Sequence, residues 1–407
     1  MAKFELRDYQ RDASNAGVLF FNRRHTKRNG IIVCPTGAGK SLIIADIASK
    51  LNGNVLVLQP SKEILEQNYS KLLSYGITDC AIYSASLRKK QIAAITFATI
   101  GSVMSKLDEF AIFRYVIVDE CHQVNAMGGQ YKDLFEAADR RILGLTATPY
   151  RLNSAIVTLD EYGRFDPEQE PQNVCVLKFL TRTRPRVFHD VLYQVSIQTL
   201  LARGYLAHLR YFDLTLIDQQ GLKRNSTGMD YDDGNLQNLF YQRNFYSYLV
   251  SIVNRVLNPK DGKQRRGVLV FTKFLKESEE LCRSISGCAM ISGSTKKKER
   301  ERILKEFKEG KIKVVTNVGV LTTGFDYPEL DTVILARPTM SLAMYYQIVG
   351  RAIRPYPGKD AWVVDLCGNI KRFGRVEDLY LAEPKPGEYM IRGLCQGKDM
   401  QLTNIYF

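Results

Sequence analysis

Pro35-Thr36-Gly37-Ala38-Gly39-Lys40-Ser41 follows an apolar run, Ile31-Ile32-Val33, and precedes a helical pattern over residues 42–51. Strand, glycine turn and helix is the context that a phosphate-binding loop needs. Small residues let backbone N–H groups wrap an anion, and the helix N-terminus adds its partial positive charge. In that setting Lys40 reaches the β and γ phosphates of a nucleotide and Ser41 holds Mg2+. The strict pattern opens with a glycine where this chain has Cys34, so Gly37 and Gly39 must supply the turn.

Outward from the loop, apolar runs alternate with helical patterns. Leu6-Arg7-Asp8-Tyr9-Gln10 opens a helix to about Arg23, and residues 23–30 form a basic turn. Short apolar runs at 55–58, 95–99, 115–118 and 142–145 predict strands, with a helix over 63–75. This alternation predicts a parallel sheet covered on both faces. Ligands of such sheets bind at the carboxyl ends of the strands, and each candidate chemical group of this block comes directly after a strand.

From Arg151 to about Tyr205 the pattern weakens. Residues 160–163 and 166–171 read as an acidic surface loop, and Arg182-Thr183-Arg184-Pro185-Arg186 as a basic knot that either touches phosphate or balances that loop. A second alternating block follows. It has expected strands at 211–216, 268–271, 314–315, 333–335 and 362–364, and helices over 273–285 and 297–309. Residues 221–235 are polar and are expected to be a mobile loop.

The chain has 407 residues, a net charge of +14, 45% hydrophobic and 25% charged residues. That describes a globular protein of two to three domains, and the excess of positive charge favours a polyanion, usually nucleic acid. Eight scattered cysteines and four histidines exclude a disulfide framework and a zinc site by their spacing. No apolar run is long enough to span a bilayer and no signal peptide is recognisable. Reduced thiols and a cytoplasmic location are therefore expected.

Asp119-Glu120-Cys121-His122 follows the strand at 115–118. An acidic pair at a strand end, in the same sheet as a phosphate loop, is what nucleotide hydrolysis needs. Asp119 binds Mg2+ through its water shell, and Glu120 polarises the attacking water. Thr146-Ala147-Thr148-Pro149 follows the next strand, and its two hydroxyls can couple the acidic site to the second block. In Gln347-Ile348-Val349-Gly350-Arg351-Ala352-Ile353-Arg354-Pro355, helical spacing would place Gln347, Arg351 and Arg354 on one face. The two arginines suit fingers supplied by the second block, which neutralise γ-phosphate charge in the transition state.

This motif set resembles the superfamily 2 helicases and translocases, over nearly the whole chain and in that family's order. Arg7 and Gln10 resemble its adenine-reading Q-type motif, Pro35 to Ser41 motif I, and Asp119 to His122 a DECH form of motif II. Thr146 to Thr148 resemble motif III, Leu321-Thr322-Thr323-Gly324-Phe325-Asp326-Tyr327-Pro328 motif V, and Gln347 to Arg354 motif VI. The phrases Arg203-Gly204-Tyr205-Leu206, Asn317-Val318-Gly319-Val320 and Arg337-Pro338-Thr339 are similar to those of RadD-like DNA repair helicases. Those proteins carry a cysteine-rich, zinc-binding region after the motor. Here only Cys367 and Cys395 lie near the end, so a motor core without zinc is expected.

The resemblance implies an α/β fold of two tandem RecA-like domains, each a mainly parallel sheet with helices on both faces. They are expected at 1–203, including a connecting region at 151–203, and at 204–370, with a tail over 371–407 packed on the second domain or partly mobile. It implies ATP and Mg2+ as cofactors, with Gly324 and Asp326 joining Arg7, Gln10 and the phosphate loop at the nucleotide, and His122, Thr146 and Thr148 as coupling residues. It also implies a nucleic-acid track: Pro60, Ser61, Thr99 and Ser102 in the first domain, and Phe271, Thr272, Ser292, Gly293, Ser294, Thr295, Thr322 and Thr323 in the second. These are mostly small hydroxyl residues and backbone, which suit phosphate contacts without sequence preference. The expectation is a monomeric ATP-dependent DNA helicase or translocase of repair or recombination, with an unidentified protein partner possible and no membrane. An RNA helicase, and an ATPase motor subunit of a larger complex, are the two alternatives.

Overall fold

In the computed structural model the described residues are 5–23, 28–125, 128–137, 141–158, 166–260, 262–322 and 325–404. They sort into two compact units. The first comprises Met1–Arg151, Lys178–Ser196 and Ala382–Met390, and the second Leu152–Leu177, Ile197–Leu381 and Ile391–Phe407.

The first unit opens with helix α1 (Asp8–Asn22) and strand β1 (Gly30–Val33). It continues through α2 (Lys40–Lys50), β2 (Val55–Gln59), α3 (Lys62–Ser74), β3 (Cys80–Ser84), β4 (Lys89–Lys90) and β5 (Ile95–Thr99). After α4 (Ile100–Met104) come β6 (Tyr115–Asp119), α5 (Gln130–Ala137) and β7 (Ile142–Thr146). Strands β8 (Tyr150–Val157) and β9 (Gln172–Phe179), which pair with each other, fall mostly in the second unit, and β10 (Asp190–Gln194) returns to the main sheet of the first. That sheet has the order β10-β1-β7-β6-β2-β5-β3-β4, parallel except for the short β3–β4 pair.

Strands β1, β2 and β6 are buried along their whole length, which is why they appear in the sequence as unbroken apolar runs. The register matters for function. Val33 pairs with Thr146, and Asp119 with Leu145, so the phosphate loop, the acidic pair and Thr146 leave the sheet at one edge. Helices α1 and α2 pack closely at Gly17, where an added Cβ would lie 2.6 Å from Ile47 Cδ1.

The second unit contains α6 (Ile197–Ala202), β11 (Leu209–Asp213), α7 (Asp233–Gln242), α8 (Phe245–Leu257), β12 (Val268–Thr272), α9 (Leu275–Ser284) and β13 (Cys288–Ile291). These are followed by α10 (Lys297–Lys308), β14 (Val314–Val318), β15 (Thr332–Ala336), α11 (Leu342–Val349), β16 (Ala361–Asp365) and α12 (Asn369–Phe373). Its sheet has the order β11-β16-β15-β12-β14-β13 and is parallel throughout. Both sheets are therefore of the expected α/β kind.

Three expectations change. Residues 221–235 are not an open loop: Arg224 and Tyr231 form a β-bridge, and Asn225 Oδ1 accepts from the Thr227 hydroxyl and the Met229 N–H. Leu222 and Tyr231 anchor the segment in the apolar core beside Leu236 and Phe240. The tail beyond residue 371 is also structured, as the end of α12 and a three-stranded sheet of β17 (Tyr380–Lys385), β18 (Glu388–Cys395) and β19 (Lys398–Gln401). Residues 152–177, expected in a connector of the first domain, sort with the second unit. The acidic stretch 160–163 lies outside the described residues, as do Thr323 and Gly324 of the motif V phrase.

Candidate active site

The phosphate loop joins β1 to α2. Gly37 and Gly39 both adopt positive φ, 86° and 77°, a conformation that glycine enters without the Cβ penalty. They supply the turn as expected, and Cys34 replaces the missing glycine as a fully buried residue. The Cys34 N–H extends the β1–β7 pairing by donating to the Thr146 carbonyl at 3.0 Å, and burial pushes its thiol up to about 12. Helix α1 braces the loop. The Tyr9 hydroxyl and the Gln10 amide both donate to the Ala38 carbonyl at 2.9 Å, while Gln10 Oε1 accepts the Arg7 N–H at 3.0 Å. Gln10 therefore sits against the loop, and both ends of its amide are engaged there.

Lys40 Nζ lies 3.3 Å from Glu120 Oε1. His122 Nδ1 stands 3.4 Å from Glu120 Oε2 and 2.9 Å from Thr146 Oγ1, and Thr146 Oγ1 accepts the Thr148 N–H at 3.0 Å. Glu120 has a left-handed backbone, φ 48°, which costs a non-glycine residue about 1–2 kcal/mol. That turn lets the Glu120 N–H donate to Asp119 Oδ1 at 2.9 Å.

The two acids are driven apart electrostatically. Burial and the adjacent Glu120 charge push the Asp119 carboxyl up. Burial opposes ionisation of Glu120 as well, but the Lys40 ammonium and His122 outweigh it and hold Glu120 below the usual carboxylate range.

A residue that the motif reading missed joins these parts. Asn68 on α3 accepts the Ser41 hydroxyl at 2.5 Å and donates to Asp119 Oδ2 at 3.1 Å. Leu65, Asn68 and Leu72 are the buried positions of α3. A polar residue on that i, i+3, i+7 apolar face was the available signal.

The donor set suits a hard divalent cation beside a phosphate. Ser41 Oγ and the Asp119 carboxylate offer oxygen, and the Ser41 proton is directed to Asn68, which leaves the oxygen lone pairs unspent. Among the described residues no cluster of three or more His, Cys, Asp or Glu side chains is placed to hold a metal. Mg2+ fits this sparse set, because it is commonly held by one or two carboxylates together with phosphate oxygens and water.

Of the nucleic-acid positions in the first unit, Ser61 caps α3 by accepting the Ile64 N–H at 3.3 Å, with Pro60 just before it. Thr99 Oγ1 and Ser102 Oγ lie 3.0 Å apart after β5, and Ser102 Oγ accepts the Ala85 N–H.

In the second unit, α11 ends at Val349, so the expected shared helical face of Gln347, Arg351 and Arg354 is not formed. Gly350 weakens the helix there, and Pro355 disfavours helical backbone at Arg354. Gln347 lies in the last turn. Arg351 is 8% exposed and donates to the carbonyls of Phe325 and Thr322, while Arg354 pairs with Asp326. The side chains of Phe271 and Thr272 are buried, and Thr272 Oγ1 bonds Ser278 Oγ at 2.9 Å, so these two positions offer a ligand backbone rather than side chain. Ser292 Oγ and Ser294 Oγ lie 2.8 Å apart, and Ser292 N–H donates to Thr295 Oγ1, with Gly293 exposed between the serines.

Two family models match this chain: the type III restriction enzyme res subunit over residues 3–151, and the helicase conserved C-terminal domain over residues 248–356. The two halves of a helicase core are thus both present, and the chain belongs to the superfamily 2 helicases. Among its relatives, a 51.5 kDa protein of a Lactococcus phage is 25% identical, over 84% of this chain and 67% of its own length. The DNA 3'-5' translocase XPB2 of Sulfurisphaera tokodaii is 23% identical, over 89% of this chain and 82% of its own length. The solved structure of the ATP-dependent type ISP restriction-modification enzyme LlaBIII bound to DNA shares the fold, with a TM-score of 0.59 at 18% identity, over 89% of this chain and 28% of that one. Among the described residues no helix is long and apolar enough to cross a membrane.

Proposed function

We propose that this chain is an ATP-driven motor that moves along DNA or unwinds it, as a monomer in the cytoplasm. The observation that carries the reading is the meeting of Lys40, Glu120, Asp119 and Ser41 at one edge of the first sheet. In this reading Lys40 leaves Glu120 for the β and γ phosphates, and Glu120, held ionised, takes up the attacking water. Ser41 and Asp119 would hold Mg2+, which when bound would neutralise charge on the phosphates. Arg351 and Arg354 would supply positive charge, and Gln347 a hydrogen-bonding amide, to the γ-phosphate, and Arg7 and Gln10 would select adenine, with Gly324 and Asp326 at the nucleotide. His122, Thr146 and Thr148 pass the state of the site on.

DNA is favoured over RNA by the names of the relatives, and phosphate contacts from Pro60, Ser61, Thr99, Ser102 and the matching segments of the second unit imply no sequence preference. A role in repair or recombination rests on the RadD-like phrases at 203–206, 317–320 and 337–339 alone. The match of residues 3–151 to a restriction enzyme res subunit favours a second reading, a motor that serves a larger complex without unwinding of its own.

The test is the ATPase rate with no nucleic acid, single-stranded DNA, duplex DNA and RNA, beside Glu120→Gln. Stimulation by DNA alone, lost in the variant, supports the motor on DNA. Equal stimulation by RNA overturns the DNA preference, and none by any of them favours the motor subunit.

A further inference from the structure

Asn68 occupies a place that no helicase motif named above includes. It lies on the inner face of α3, 7% exposed, between the fully buried Leu65 and Leu72. Its carboxamide uses both ends at once, Oδ1 for the Ser41 hydroxyl at 2.5 Å and Nδ2 for Asp119 Oδ2 at 3.1 Å. An amide has one accepting end and one donating end, so this pair of bonds fixes its orientation. By taking the Ser41 proton it turns the hydroxyl lone pairs outward. By donating to Asp119 it fixes one carboxylate oxygen, while the Glu120 N–H fixes the other. Each oxygen keeps a lone pair for a further partner.

We propose that Asn68 is a positioning residue that presents Ser41 and Asp119 together to the cation, and that α3 links this pair to nucleic-acid binding at its own N-cap. The inference rests on the function proposed above. Helix α3 is unbroken from Lys62 to Ser74, with Ser61 as its cap. Seven residues separate Ser61 from Asn68, about 10 Å along a helix. A strand of nucleic acid that shifts the first turn of α3 moves Asn68 with it, and Asn68 moves the two oxygen donors.

The experiment uses the full chain with Asn68→Ala, and with Asn68→Leu, which keeps much of the volume on the apolar face of α3 but loses both the acceptor for Ser41 and the donor to Asp119. Two quantities are read: the MgCl2 midpoint for binding of a fluorescent ATP analogue, and the ratio of ATPase rates with and without single-stranded DNA. Loss of a group that orients a metal ligand typically costs about 10–100-fold in metal affinity or activity. Both variants are expected to raise the magnesium midpoint by about tenfold and to lower the stimulation ratio. Affinity for DNA without nucleotide stays at the wild-type value.

A wild-type magnesium midpoint in both variants overturns the inference. A raised midpoint with an unchanged stimulation ratio overturns the link through α3. If the wild-type protein ignores every nucleic acid, the proposed function fails, and the magnesium titration still decides what Asn68 does.

Discussion

Lys40 and Glu120 are paired with each other across the mouth of the phosphate loop, 3.3 Å apart, with side chains only 11% and 18% exposed. A loop lysine and a carboxylate that neutralise one another form a resting arrangement, because neither charge is left uncompensated in a poorly hydrated place. On the proposed function, a phosphate that draws Lys40 away would free Glu120 for the attacking water in the same movement.

Lys40→Ala is therefore expected to remove both the phosphate contact and the partner of Glu120. Turnover should fall at least about a thousandfold, equivalent to about 4 kcal/mol of barrier. Steady-state ATPase with a fluorescent-nucleotide binding curve checks this, and turnover near the wild-type rate would show that Lys40 does not touch the reacting phosphate.

Glu120→Gln keeps the size of the side chain and removes its ability to take a proton. General-base contributions of about 100- to 10,000-fold set the expected loss of hydrolysis, with nucleotide affinity unchanged or tighter. A single-turnover assay separates the two. Hydrolysis at the wild-type rate would reject Glu120 as the base.

Gly39→Ala tests the brace from α1. Gly39 has φ 77°, and an added Cβ would lie 2.5 Å from Gln10 Nε2, so the substitution strains the backbone and displaces the amide that holds Ala38. Nucleotide affinity should drop about tenfold, equivalent to about 1.4 kcal/mol, while circular dichroism stays that of the wild type. Unaltered affinity would mean that the loop does not need this conformation to bind.

Stability should fall as pH rises from about 5 to 7. The buried Glu277 carboxyl is pushed up to about 7 by burial, against the hydrogen bond from Phe274 N–H. Below about pH 4.5 the folded and unfolded chains are both protonated at this group, and nothing is lost. Between that point and pH 7 the unfolded chain releases its proton while the folded chain retains it, which favours unfolding. The loss is complete above pH 7 and amounts to about 3 kcal/mol at most. Glu277→Gln keeps the acceptor for Phe274 and cannot ionise, so it should melt several degrees higher at pH 8 and flatten the slope. Asp365, pushed up to about 6 by burial, supplies part of what slope remains. An unchanged melting temperature at pH 8 would refute this account of Glu277.

The phosphate loop, the DECH segment and the central strands were legible because parallel strands buried on both faces leave unbroken apolar runs, and the candidate site residues follow directly after such runs. Strand β3, Cys80-Ala81-Ile82-Tyr83-Ser84, was less legible because its apolar run is only four residues long, has Ile82 as its single β-branched residue, and is flanked by Thr78-Asp79 and Ser84-Ala85-Ser86. The end of α11 was hidden because the spacing of Gln347, Arg351 and Arg354 continues a helical period through Gly350, while the chain itself leaves the helix before Pro355. Asn68 could be seen only as one polar residue on an apolar face. Its meaning depends on Ser41 and Asp119, 27 and 51 positions away in the chain, and spacing along one helix carries no information about partners at that distance.

The two units are interleaved along the chain, which changes hands at 151/152, 177/178, 196/197, 381/382 and 390/391. No single cut yields either half intact. A nonsense mutation at Ala382 would strip residues 382–390 from the first unit as well as residues 391–407 from the second. Genetic truncation here would thus report on both halves of the motor at once, and a loss-of-function allele at this end would be no evidence for a separate accessory module.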